Sequence, residues 1–118
     1  MKNTMTAKSL FLSFFLFLSF SGILHAQKVF SAENAWEADV KVYVTEHEYE
    51  ADLLVHKVDH AYEAKGNKGL WYFTTRKWEA DKVIFFVEKA WEADLKICFV
   101  KEAYQAGWKK REKMYLMY

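Results

Sequence analysis

The chain has no proline, one cysteine and four glycines in 118 residues, and each scarcity excludes something. A lone Cys98 rules out an intrachain disulfide, the usual support of a small exported domain. Without proline, and without any Asn-Gly or Asp-Gly pair, the common two-residue hairpin turns are not encoded. Charges of both signs are interspersed, with a net value of +1, so there is no basic footprint for nucleic acid. There is also no Ser/His/Asp spacing and no glycine-rich phosphate loop, which leaves nucleophilic and nucleotide chemistry without an anchor.

The first 26 residues differ from the rest. Lys2 and Lys8 precede an apolar run from Leu10 to Leu24, and Leu24-His25-Ala26 ends on a small residue. This is the pattern of a secretory signal peptide, and the run is short of the roughly 20 residues that span a bilayer as a helix. Cleavage before Gln27 is therefore expected, giving an exported chain, periplasmic or secreted, with no membrane span. No cysteine lies near that cleavage point to carry a lipid. Loss of Lys2 and Lys8 leaves 15 basic against 16 acidic residues. The organisation expected is a signal peptide over residues 1–26, a repeat β domain over 27–108 and a basic, solvated tail over 109–118 that begins Lys109-Lys110-Arg111.

What the chain does contain is aromatic residues and repetition. One phrase recurs: Trp36-Glu37-Ala38-Asp39, Tyr49-Glu50-Ala51-Asp52, Tyr62-Glu63-Ala64-Lys65, Trp78-Glu79-Ala80-Asp81, Trp91-Glu92-Ala93-Asp94 and Tyr104-Gln105-Ala106-Gly107. Its aromatics are spaced by 13, 13, 16, 13 and 13 residues, and so regular a period specifies architecture before activity. After each of the first five phrases comes a six-residue run rich in β-branched and aromatic residues, such as Leu95 to Val100, which reads as a strand. The fold class expected is mainly β: one small domain of short strands in 13-residue repeats, with short helical or turn connectors.

Within each unit, strand alternation sends position 7 inward: Val42, Val55, Trp71, Ile84 and Ile97. Position 8, which holds Tyr43, His56, Tyr72, Phe85 and Cys98, is expected to be partly covered. Connectors of seven or eight residues are short for a parallel crossover within one sheet. That leaves an antiparallel arrangement, a tight solenoid or a less usual winding of equivalent strands. The third unit is longer by Gly66-Asn67-Lys68, so the chain either turns a corner there or reaches past another part of the fold.

Each position of the phrase carries an expected structural role. The aromatic at position 1 is expected to plug the core. The alanine at position 3, the same in all six copies, suggests a close approach of another segment. The aspartate at position 4 suits accepting backbone N–H groups in a turn, and the glutamate at position 2 is expected to face solvent.

This alternation of aromatic-Glu-Ala-Asp with a short β run resembles the septoil-knot domain, a family of small bacterial repeat proteins. The variant Gly69-Leu70-Trp71-Tyr72-Phe73 and the closing Tyr104-Gln105-Ala106-Gly107-Trp108 also resemble it. The likeness covers essentially the whole chain after the leader, and Lys65 departs from it. It implies a compact β-rich domain threaded into a deep seven-crossing knot, and brings no catalytic or binding residues.

No catalytic residue, metal site or cofactor is expected. Asp39, Asp52, Asp81 and Asp94 with their glutamates invite a calcium ladder, but the connectors lack the glycines of calcium-binding repeats. His56 and His60 suit packing or surface roles better than zinc, which needs further ligands, and Cys98 suits a small buried hydrophobe. The function expected is a non-enzymatic, exported structural or interaction module whose partner is a protein or a cell-envelope component. The alternative is a metal- or glycan-binding module, or a carboxylate-based hydrolase, using the repeated acids and tryptophans.

Overall fold

The computed structural model describes residues 27–118; the signal-peptide expectation falls on residues 1–26, outside the described residues. The repeated apolar runs form strands β1 (Lys28–Ser31), β2 (Val40–Val44), β3 (Leu53–Lys57), β4 (Leu70–Phe73), β5 (Lys82–Phe86) and β6 (Leu95–Phe99), followed by a two-residue β7 (Gly107–Trp108). Between successive strands lies a single 3-10 turn. Turns 1 to 6 are Ala35–Glu37, Glu48–Glu50, Ala61–Glu63, Lys77–Glu79, Ala90–Glu92 and Ala103–Gln105, and a longer 3-10 helix, Arg111–Met117, ends the chain. Alanine and glutamate favour helix, yet so short a segment cannot repay helix nucleation. It closes one tight turn, as when the Ala38 N–H donates to the Ala35 carbonyl at 3.1 Å, and then re-enters extended backbone.

The strand order is β4-β1-β5-β2-β6-β3, all parallel, and β3 also pairs with β4, so the sheet closes into a barrel. Strand β7 lies antiparallel against the first half of β3. Of the three arrangements left open by the connector length, the unusual winding is the one adopted.

The registers explain why short connectors suffice. Ser31 at the end of β1 and Val40 at the start of β2 both oppose Ile84 of β5. Likewise Val44 and Leu53 both oppose Ile97 of β6, and Phe73 and Lys82 both oppose Val29 of β1. A connector therefore does not travel back to the start of a strand. It crosses the outside of one intervening strand at constant height, a span of two strand spacings, about 9.6 Å.

The inward layer is as expected: Val42, Val55, Trp71, Ile84 and Ile97, joined by Val29 of β1, are all fully buried. Val40, Leu53 and Leu95 extend this layer two residues earlier along their strands, while Phe73, Phe86 and Phe99 extend it two residues later and pack against it. A closed sheet of six strands has a narrow interior, and the β-branched residues fill it around one tryptophan.

Two further expectations are resolved here. The residues Gly66-Asn67-Lys68 let the chain reach past another segment: the Trp108 indole N–H, following the β7 backbone, donates to the Asn67 carbonyl at 3.0 Å. Gly66 and Gly69 have φ of +73° and +87°, and a side chain at Gly69 would collide with the Leu54 carbonyl.

The solvated tail, in contrast, is corrected. Met117 is buried in the core, its carbonyl accepts from the Gln27 side-chain amide at 2.8 Å, and Asn67 Nδ2 donates to the Met114 carbonyl. Lys110 and Lys113 reach the Asp52 carboxylate and Lys109 the Glu48 carbonyl of the turn beside it, 58 to 61 residues earlier in the chain. A local reading of the basic cluster could not see a buried partner so distant in sequence.

Candidate functional site: an exposed aromatic girdle

The aromatic of each repeat is the middle residue of its 3-10 turn. Because the turns ride over the outside of the barrel, these residues point away from it. Trp36, Tyr49, Tyr62, Trp78, Trp91 and Tyr104 are between 69% and 85% exposed. The expectation that they plug the core is overturned. The strand residues already fill the barrel interior, and a connector crossing a strand from outside has no access to it.

The rings do not hang free. Four of them carry a flat or cationic side chain from the residue two places earlier. His47 stacks on Tyr49 and His60 on Tyr62, each with ring centroids 5.2 Å apart. The Arg76 guanidinium lies 5.9 Å from the Trp78 ring and the Lys89 ammonium 5.8 Å from that of Trp91. Such backing restricts the ring and leaves its other face to solvent.

The rest of each phrase anchors the turn. Turns 1, 2, 5 and 6 contact β5, β6, β2 and β3, the strands they cross. Alanine sits where the turn meets the barrel: Ala51 and Ala64 are buried, and Ala38, Ala80, Ala93 and Ala106 are half-buried.

The aspartates act across the fold rather than within their own turns. The Asp39 carboxylate accepts the Val83 N–H, Asp52 that of Lys96, Asp81 that of Lys28 and Asp94 that of Lys41, at 2.8–3.0 Å. In return each aspartate's own N–H donates to the carbonyl of the same residue. The aspartate thus clamps both backbone groups of one residue in the strand its connector has just crossed. In the third unit, where Lys65 replaces aspartate, the Ala64 carbonyl instead accepts the Gln27 N–H at 2.6 Å. Of the glutamates, Glu50 and Glu79 accept from the Thr45 and Thr74 hydroxyls at 2.8 and 2.9 Å, while Glu92 faces solvent.

Asp52 stands apart from its equivalents because it is fully buried. Burial pushes its carboxyl up. The Lys96 N–H, the hydrogen bond and charge of Lys113 and the charge of Lys110 outweigh burial and hold it below the usual carboxylate value. Cys98 is buried, and burial first, with Glu48 adding to it, raises its thiol above the ordinary value.

The repeated acids do not converge. Among the described residues no three His, Cys, Asp or Glu side chains gather as a metal-binding group. His56 Nδ1 lies 3.2 Å from the Val100 carbonyl, whereas His60 backs Tyr62.

A family model described as the 7(1) septoil knot domain matches residues 26–109. No curated protein and no solved structure matches the chain.

Proposed function

The chain belongs to the septoil knot domain family, and beyond that membership we propose that it is an exported, non-enzymatic binding module that holds a polymer of the cell envelope through its aromatic girdle. The observation that carries this reading is the exposure of all six repeat aromatics, at 69% to 85%. Tyrosine and tryptophan supply large contact area with little conformational entropy to lose, and they dominate binding hot spots. Here they are presented by turns that aspartate clamps hold to the barrel, so little ordering remains to be done on binding. Six similar sites on one rigid body suit a partner that is itself repetitive, since linked weak contacts add through effective concentration. The leader over residues 1–26 is what supports export to the compartment of such a partner.

The test is cosedimentation of the purified protein with isolated cell envelopes. The protein is expected in the pellet, and a variant with the six girdle aromatics changed to serine is expected in the supernatant while keeping its far-ultraviolet spectrum. Wild-type protein that stays in the supernatant would refute the reading.

A further inference from the structure

We infer that the groove between turn 1 and turn 4 is a carbohydrate subsite for two or three residues of a neutral or N-acetylated glycan chain, an inference that rests on the girdle reading and names its ligand. Turn 4 crosses β1 and turn 1 crosses β5, and β1 and β5 are neighbours. The two connectors therefore lie side by side on the barrel. Between them is an open groove of about 640 Å³, within the ~300–1,000 Å³ that accommodates a small organic ligand. Phe30 and Phe73 supply its apolar floor. Turn 1 lines it through Asn34 and Glu37, the residues on either side of Ala35-Trp36 in the chain, and turn 4 through Lys77, the chain neighbour of Trp78.

The polar groups of the walls are uncommitted. Thr74 Oγ1 is engaged by Glu79 and the Arg76 N–H. The side chains of Glu33, Asn34, Glu37, Thr75 and Lys77 have no hydrogen bond or ion pair among the described residues. Asn34 precedes turn 1 without capping it through its side chain, so its amide is free for a ligand. A pyranose matches this arrangement: one face of C–H groups to lie on an aromatic ring, and a rim of hydroxyls to donate to carboxylates and accept from amide and ammonium. The two glutamates set against one lysine disfavour a polyanionic chain by like-charge repulsion. Thr75 also lines a smaller groove of about 270 Å³ between turns 3 and 4, so a longer glycan can continue past turn 4.

The experiment is titration of the purified protein with N-acetylchitotetraose and with a neutral β-glucan oligosaccharide, followed by tryptophan fluorescence and calorimetry. Polygalacturonate serves as the anionic comparison. At least one neutral ligand is expected to bind, and Trp36→Ala and Trp78→Ala are each expected to weaken it about tenfold or more. Asn34→Ala with Thr75→Val, which touches no girdle ring, is expected to weaken it by a similar factor. Tyr115→Ala, an exposed ring on the C-terminal 3-10 helix, is expected to leave it unchanged. Failure of both neutral oligosaccharides to bind, or tighter binding of polygalacturonate, would overturn the inference. So would undiminished affinity in the Asn34/Thr75 variant, which places the sugar on the rings alone. Each of these results is compatible with envelope cosedimentation, so the groove and the girdle fail separately.

Discussion

Asp52 shows how equivalent residues acquire different work. It shares with Asp39, Asp81 and Asp94 the clamp on a strand residue; its place before a strand suggested an acceptor of backbone N–H groups, but within its own turn and not across the fold. What the repeat could not reveal is the choice of Asp52 as the docking point of the chain end. Lys113 Nζ is 3.1 Å from Oδ2 and Lys110 Nζ 3.4 Å from Oδ1. Because its carboxyl is held below the usual value in the folded state, the stability it contributes is present above the unfolded-state pKa, about 3.9, and is lost as pH falls through the folded value. Asp52→Asn keeps an acceptor for the Lys96 N–H but loses the charge. It is expected to destabilise by about 1.5–3 kcal/mol at neutral pH, the usual worth of hydrogen bonds to a charged group. Urea unfolding from pH 7 down to pH 2 should show the gap between wild type and variant closing below about pH 4; a gap independent of pH would contradict the assignment. Cys98 has the opposite character. With its thiol raised by burial and by Glu48, little thiolate forms at neutral pH. A disulfide reagent is expected to label it only as fast as the fold opens, with a large acceleration in denaturant.

At the level of elements, the strands and the short turn connectors were legible, and the direction of the turn aromatics was not. Alternation identified Val42, Val55, Trp71, Ile84 and Ile97 as the inward face, and all five are fully buried. Alternation stops at a turn, however, and the aromatic at position 1 gave no sign of its direction. Its hydrophobicity argued for the core, while the supply of inward strand residues already sufficed to fill a narrow barrel. The two readings separate cleanly by mutation. Ile97→Ala is expected to cost about 2–5 kcal/mol through lost burial and a residual cavity. Trp91→Ala, at a site 78% exposed, is expected to stay within about 0.5 kcal/mol of wild type. Equal losses in thermal or chemical denaturation would return Trp91 to the core. The alanine offers a third comparison. Ala64 is completely buried, so Ala64→Leu is expected to overpack the contact of turn 3 and cost about 1–3 kcal/mol.

At the level of the molecule, the seven strands obey one rule that no periodicity could disclose, because identical repeats make every strand an acceptable neighbour of every other. In the order β4-β1-β5-β2-β6-β3, closed by the β3–β4 pairing, with β7 set against the first half of β3, each strand lies two places beyond its predecessor in the chain when β7 is counted as the place between β3 and β4, and every connector passes over the strand between. The same step from β7 would pass β4 and land on β1. A path that visits seven places by steps of two goes twice round before closing, and this is the winding of a seven-crossing torus knot. The longer third spacing marks the one connector that must pass β7, where Trp108 meets Asn67. The family resemblance alone carried this topology at the level of sequence. Its consequence is kinetic. To reach the native ring a chain end must be threaded, and Met117 and the Asp52 lysines can dock only afterwards. Domains dominated by non-local strand pairing fold in ~ms–s; refolding from denaturant is expected to add a phase slower than this. That phase cannot be proline isomerisation, since the chain has no proline, and prolyl isomerase should leave it unchanged. Interrupted unfolding supplies the sharper measurement. A chain denatured briefly still holds its knot and should refold faster than one denatured long enough to untie. Refolding that is complete within milliseconds, or that is independent of the time spent unfolded, would be incompatible with a threaded barrel.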